Sequence, residues 1–472
     1  MSRMPSSKRT ISQQTFEALV MENIEDLSMD PEEALQDAIE TLTIQGVDLY
    51  GIVKRVPGVS SPNDDPVMRT LDALKSILSS KLDGRKPVVL DDTVDFEGLV
   101  SLLDKLYELC KSGGSDNASI VTKNGGVELL TSLCSAIHDG LERLLVSVFR
   151  VLCSILYDVQ STDSFGQSGG PKIVVDILKR SCRNGTVFEN GFSVVAAAAT
   201  GNEVIKESFM ELKLDELLVQ TLKEQSKSCP QSLFDAVRIL LTPDDNRVVA
   251  SQVYGYAKRF SQLGTADALI KAIRDGLGSA SMVSACSALR ALSVNDEICR
   301  SISENGGIDI LLKCLNDMDG NSNKAVAKTC CSLLSKLAAS DDNKVAIIQK
   351  GGLDVLMKLS SIFLEDPSVL QEIMSIVSVL SLRFPDHAAR AVEAGAGDLA
   401  LQAMEKFPTM HLLQRQSCFM IRNLVARNPE NRTILLGYGI EKLIRKAKGS
   451  HESCRDAATA ALRDLGLDDY NA

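Results

Sequence analysis

The sequence predicts an all-α fold: a right-handed solenoid of about eight helical repeats with a small helical head at its amino terminus. Three observations lead there. Glycines recur in pairs at Gly125-Gly126, Gly169-Gly170, Gly306-Gly307 and Gly351-Gly352, then more loosely at Gly395/Gly397 and Gly437/Gly439. Counted from the first of each, the steps are 44, 137, 45, 44 and 42 residues. The long step equals three ordinary ones, so two repeats between Gly169 and Gly306 are expected to have lost their glycines. Finally, each interval carries the same apolar phrase at helical spacing. A fixed period of this length marks a stack of supersecondary units, each burying its apolar face on its neighbours.

Residues 1–56 read as an acidic helical segment outside the repeat. Phe16, Leu19, Val20, Ile24 and Leu27 form one helical stripe, and Leu35, Ala38, Ile39 and Leu42 form another. The second helix opens with Asp30 as N-cap, Pro31 at its first position and Glu33 three after the cap, and Gly46 is a suitable stop. VDLYGIV then begins a third, short apolar stretch. Residues 57–92 read as a linker, rich in Pro, Ser and Asp at PGVSSPNDDP, with one amphipathic helix from Val67 to about Leu82. Residues 93–116 are expected to cap the solenoid, and 117–472 to form the repeats.

In a clear repeat, Asn343 opens a short helix (Val345, Ile347, Ile348) ending at Gly351-Gly352. A second helix carries Leu353, Val355, Leu356 and Leu359, and a longer third carries Leu370, Ile373, Ile376, Val379 and Leu380. Glycine permits the sharp turn between the first two, where a Cβ resists positive φ. Two degenerate copies fit around Leu217/Leu218/Leu222 and Leu269/Ile270.

Stretches such as NKVAIIQKGGLDVLMKL and NRTILLGYGIEKLIRKA resemble the armadillo repeat, over roughly three quarters of the chain. The head carries Thr15-Phe16, Glu22-Asn23-Ile24-Glu25, Pro31-Glu32-Glu33-Ala34 and Gln45-Gly46-Val47-Asp48-Leu49. It resembles the amino-terminal segment of one particular armadillo-repeat family. That resemblance implies the fold and brings no catalytic residue, cofactor or metal with it.

Composition narrows the function classes. With 44% hydrophobic and 24% charged residues the chain reads as folded. The polar, basic start MSRMPSSKRT lacks a signal-peptide pattern, and the most apolar run, Val194 to Ala199, is too short for a bilayer. The expected location is cytoplasmic, with possible nuclear access, and the expected state is monomeric. Twelve cysteines without CxxC spacing read as reduced thiols, Cys153, Cys286, Cys330 and Cys418 among them in apolar helical patterns. Of the net charge of −11, residues 1–50 hold −7 (three basic, ten acidic). No broad basic face suits nucleic acid.

Catalytic and metal motifs are missing from the sequence. His138, His387, His411 and His451 lie in different repeats or in loops without metal-ligand spacing, His138 reading as the most interior. Gly166-Gln167-Ser168-Gly169-Gly170 is in phase with the repeat turns, not a phosphate loop.

The third helices of an armadillo array line its concave groove. Nuclear-import adaptors of this class place a tryptophan there with an asparagine four residues later. This chain has no tryptophan, and only Phe419 with Asn423 resembles the pair, so a transport adaptor is disfavoured. The groove offers arginine instead. Arg238, Arg290, Arg422 and Arg463 fall just before the asparagine position, with Lys336 near, forming a strip able to clamp carboxylates. The alternative is that each pairs with a neighbouring acid. The expected function is a non-enzymatic scaffold whose protein partner, an acidic segment, meets Arg290, Lys336, Phe419, Arg422, Asn423 and Arg463. The acidic head could compete for that groove, or bind a partner itself with the solenoid as spacer.

Overall fold

The computed structural model describes residues 9–49, 52, 54, 56, 65–79, 95–138, 140–181, 184–225, 229–244 and 250–467. The linker and the expected helix end at Leu82 lie largely outside these. Two compact units emerge, one spanning residues 1–214 with 243–247, the other 215–242 with 248–472.

In the first unit the head comprises α1 (Gln13–Glu25) and α2 (Pro31–Ile44). The Ser12 hydroxyl accepts the Thr15 N–H, and the Asp30 carboxylate accepts that of Glu32, so both helices start on capping oxygens. Phe16, Val20, Ala34, Ala38, Leu42, Leu49 and Ile52 form the head's own core. The VDLYGIV stretch opens as strand β2 (Val47–Asp48), pairing in parallel with β1 (Arg9–Thr10). Next come α3 (Pro66–Ser79) and α4 (Phe96–Lys123), the latter broken at Gly114 (φ 56°).

The part of α4 after that break opens the first repeat, completed by α5 (Gly126–Ala136) and α6 (Glu142–Ile155). The second repeat is α7 (Val159–Gln167), α8 (Gly170–Arg180) and α9 (Gly185–Ala199). The third is α10 (Glu203–Glu211), α11 (Leu214–Glu224) and α12 (Gln231–Leu241), and the division between units falls within it. The fourth is α13 (Ala250–Gln262), α14 (Thr265–Asp275) and α15 (Ser279–Leu292). The fifth is α16 (Asp296–Glu304), α17 (Gly307–Asn316) and α18 (Lys324–Leu337). The sixth is α19 (Asp341–Gln349), α20 (Gly352–Ile362) and α21 (Pro367–Ser381). The seventh is α22 (Pro385–Glu393), α23 (Ala396–Lys406) and α24 (His411–Val425). The eighth is α25 (Pro429–Gly437), α26 (Ile440–Ser450) and α27 (Arg455–Asp464). The described residues therefore hold eight three-helix repeats.

Third helices pack in succession: α6 on α9 in the first unit, and α12, α15, α18, α21, α24 and α27 one upon the next in the second. Their core-facing residues are covered. Leu370, Ile373 and Leu380 of α21 are 0% exposed, each worth roughly 1.5–3 kcal/mol of burial.

The glycine turn is real and sterically enforced. Gly351 has φ +74°, and a Cβ on Gly352 would lie 2.7 Å from the Ile347 carbonyl oxygen. The expected loss of glycines from two repeats is half corrected. Lys213 takes the left-handed position itself (φ 62°), while the next repeat keeps Gly264 (φ 78°). There Thr265 replaces only the second glycine, and its hydroxyl donates to the Phe260 carbonyl. In the last repeat the left-handed residue is Gly439, not Gly437, which restores the 44-residue step from Gly395.

Two further expectations change. The helix assigned to Asn343 starts two residues earlier, at Asp341. Asn343 is instead a buried brace whose amide donates to the Leu337 and Cys299 carbonyls. Asn431 repeats this bond to Leu424, and between them His387 bonds through Nδ1 with Leu380. His138 is exposed, and His387 is the interior histidine, stacked on Phe384. Histidine 387 occupies the brace position because its ring nitrogen can serve the same carbonyl.

Candidate functional site

Polar side chains collect where the third helices of the second unit end and the chain turns into the next repeat. One cleft of about 430 Å³ is lined by Arg383, Arg422, Asn423, Arg427, Arg432, Arg463 and Asp464, with Ser381 and Phe384 beside them. Five guanidiniums thus face one carboxylate. A second cleft, of about 580 Å³, is lined by Arg290, Ser332, Ser335, Lys336, Glu372, Ser375 and Arg383. Arg383 and Leu382 belong to both, so the two clefts share a wall.

The sequence-predicted residues divide between them. Arg290 and Lys336 are exposed in the second cleft, while Arg422, Asn423 and Arg463 line the first. Phe419 lines neither; it is half-buried one turn before Asn423, with the Arg415 guanidinium 5.1 Å from its ring centroid. Asn423 spends its amide nitrogen on the Ser378 carbonyl and hydroxyl of α21 (2.9 and 3.0 Å), leaving its Oδ1 for any ligand. Arg238 lies elsewhere, 3.7 Å from Asp235.

Ion pairing holds some of these cations without consuming them. Asp464 accepts Nε of Arg422 at 3.3 Å and Nε of Arg463 at 2.9 Å. Both contacts use Nε, which leaves the terminal Nη groups to point elsewhere. Hydrogen bonding to Asp464 also raises the Arg463 pKa above its usual value. Burial raises the Glu372 pKa, against the pull of Lys328, Arg290 and the Ser332 hydroxyl, so Arg290 has a partial counter-charge.

Three arginines were not legible as site residues. Arg383 donates to Asp341 at 3.1 Å. Arg427 and Arg432 have no carboxylate in salt-bridge range among the described residues, and Nε of Arg432 is buried without a hydrogen-bond partner. Arg383 and Arg427 are two of only four described non-glycine residues with positive φ (70° and 61°). A side chain there costs roughly 1–3 kcal/mol. Both sit two residues past the end of a third helix, α21 and α24, the place where Gly201 (φ 74°) stands after α9. The signal available was the matched spelling Arg383-Phe384-Pro385 and Arg427-Asn428-Pro429.

Arg383 is positioned from beneath. Lys344, 2% exposed, donates to Asp341 at 2.9 Å and to the Leu382 carbonyl at 3.1 Å, beneath the Phe384 ring. Lys344 and Arg383 together lower the Asp341 pKa, the Lys344 hydrogen bond acting most.

Burial pushes the Cys110 thiol up to about 11 and Cys418 up to about 12, which suppresses the reactive thiolate at neutral pH. Cys286, Cys330, Cys331 and Cys418 are buried and Cys153 half-buried. No group of three or more His, Cys, Asp or Glu among the described residues is placed to hold a metal ion. No helix among them is long and apolar enough to cross a membrane.

Eight three-helix repeats, stacked within each unit, with a cation-lined third-helix surface in the second, define an armadillo-repeat protein. Residues 8–69 match the family described as the armadillo repeat-containing protein 6 N-terminal domain, and residues 257–467 match the LRRK2 ARM repeat. Armadillo repeat-containing protein 6 of Homo sapiens is 30% identical over 66% of this chain, and the Drosophila melanogaster homolog 25% identical over 65%. The amino-terminal segment is thus that of the armadillo repeat-containing protein 6 family, and the chain is similar to that protein over most of its length. The match covers 60% of the human protein's length and 64% of the fly protein's.

Among solved structures, an engineered protein aligns with TM-score 0.67 and 17% identity, over 97% of this chain and 99% of its own. A chain from a study of the interaction between cadherin and beta-catenin aligns with TM-score 0.61 and 15% identity, over 97% and 81%. At these identities the likeness concerns fold alone.

Proposed function

We propose that this protein is a non-enzymatic scaffold that holds an acidic segment of a partner protein along the third helices of its second unit. The observation that carries this reading is the pair of clefts joined at Arg383. They place Arg290, Lys336, Arg422, Arg427, Arg432 and Arg463 along one surface against only Glu372 and Asp464. Guanidinium forks recognise carboxylates bidentately, and serines along the second cleft supply hydroxyls for an extended backbone.

The test is binding of a degenerate acidic peptide library, rich in Asp and Glu, to the full chain and to Arg290→Glu/Arg422→Glu. Each protein is first shown to be folded by its helical melt. Retention by the parent chain and loss in the variant support the groove. Equal retention by both overturns it.

A second reading has its own observation. The head has a separate core and a family of its own at residues 8–69, as a docking module would. Capture of a partner that survives the charge reversals but is lost on removing residues 1–60 assigns binding to the head.

A further inference from the structure

We infer that the cleft of Arg383, Arg422, Arg427, Arg432 and Arg463 is a subsite for a phosphomonoester carried on the bound segment, a phosphoserine or phosphothreonine. The inference rests on the groove reading above and goes beyond it by assigning one end of the groove a doubly charged ligand.

A carboxylate presents two oxygens and one charge, which a single guanidinium fork satisfies. This cleft is lined by five arginines and one carboxylate, Asp464, while Arg383 is also held by Asp341 outside it. Asp464 takes only the Nε groups of Arg422 and Arg463 and so fixes both planes while leaving their outer nitrogens unengaged. Arg432 and Arg427 add two further guanidiniums with no carboxylate in salt-bridge range among the described residues. A phosphate dianion presents three oxygens and close to two charges, more acceptors and more charge than a single carboxylate offers these donors.

The backbone supplies an independent argument. Arg383 and Arg427 are held at φ 70° and 61°, where the equivalent turn after α9 has glycine. Strain of this kind is retained where side-chain position matters, and here both strained residues line the same cleft. The ligand is placed on a protein because the cleft continues past Arg383 into the serine-lined one, where residues flanking the phosphate have room.

The experiment measures binding of three matched degenerate peptide libraries to the full chain by fluorescence anisotropy. Their fixed central residue is phosphoserine, serine or glutamate, with mixed acidic and uncharged flanks. The phosphoserine library is expected to bind at least about tenfold tighter than the other two, as one or two added charge-assisted bonds would give. Arg427→Gln/Arg432→Gln should reduce it to the serine level, and Arg427→Lys should recover only part, because an ammonium lacks the fork. Arg290→Gln/Lys336→Gln should weaken all three libraries alike.

Between pH 7.5 and 5.5 only the phosphoserine library should weaken, since the second phosphate ionisation lies near about 6 while arginine and glutamate keep their charge. Glutamate binding as tightly as phosphoserine, or a preference that survives the double glutamine variant, overturns the subsite and leaves the acidic groove standing. No binding of any library overturns both. Inorganic phosphate or inositol hexakisphosphate binding as tightly as the phosphoserine library overturns the protein-borne ligand.

Discussion

Arg427 follows Arg383 by 44 residues, and both hold left-handed backbone at the same point of consecutive repeats, φ 61° and 70°, on the wall of one cleft. Repeat proteins reuse a turn geometry from unit to unit, and glycine adopts this one without strain. Two arginines in its place mark these two turns as different from the one after α9.

Arg427→Gly should therefore separate stability from binding. Relief of backbone strain offsets the greater unfolded-chain entropy of glycine, so the thermal midpoint is expected to stay level or rise slightly. Affinity for the acidic library should fall. A clear drop in midpoint would show that Arg427 is there for stability.

Lys344→Met should destabilise the second unit by about 2–3 kcal/mol in denaturant titrations, the scale of charged hydrogen bonds lost from a buried site. The change removes the donor to Asp341 and leaves the Leu382 carbonyl unpaired. Because Asp341 also accepts from Arg383, groove affinity should fall as well. Lys206→Met is the counterpart in the first unit, where the 1% exposed ammonium meets Glu203 and Asp244. It should cost stability without touching the groove.

Two glycine substitutions should act with opposite sign. Gly352→Ala drives a Cβ against the Ile347 carbonyl at 2.7 Å and is expected to cost about 1–3 kcal/mol. Gly255→Ala, inside α13 with open space around its Cβ, should stabilise by roughly 0.5–1 kcal/mol. Chemical denaturation of both variants checks the pair.

Acid should release the cap of α21. Burial opposes ionisation of Asp366, yet hydrogen bonds from Ser368, the Val369 N–H and Lys324 bring its carboxyl down to about 2. A depressed folded pKa means that this contribution is whole above the ordinary carboxylate value near about 4 and is lost as pH falls through about 2. Asp366→Ala should cost about 1 kcal/mol at pH 7. The gap between parent and variant should narrow across that acid window; a constant gap would show that ionisation of Asp366 adds nothing.

How far the sequence could be read depended on whether a residue's role was local or collective. Gly351-Gly352 announced a turn because only backbone sterics within one repeat decide it. The same logic misled at Lys213 and Gly264, where lysine took up strain and threonine replaced one glycine by bonding the carbonyl that a second glycine leaves bare. His138, the most interior-looking histidine in the sequence, lies just past the end of α5 and is exposed. His387 is buried because it takes the brace position of Asn343 and Asn431, a role visible only when repeats are superposed.

Helical periodicity, the 44-residue interval and the acidic head determined by themselves the all-α class, the three-helix unit and the count of eight, since each follows from spacing along one chain. Arg290, Arg422 and Arg463 could likewise be placed on third helices. Tertiary structure alone decided which cations meet. Arg427 and Arg432 come from the turn and first helix of the last repeat, and Arg383 from the turn before α22, more than forty residues away. Stacking brings them to one cleft, and charge acts through space, so neither their convergence nor the sharing of Asp464 leaves a mark in any single stretch of sequence.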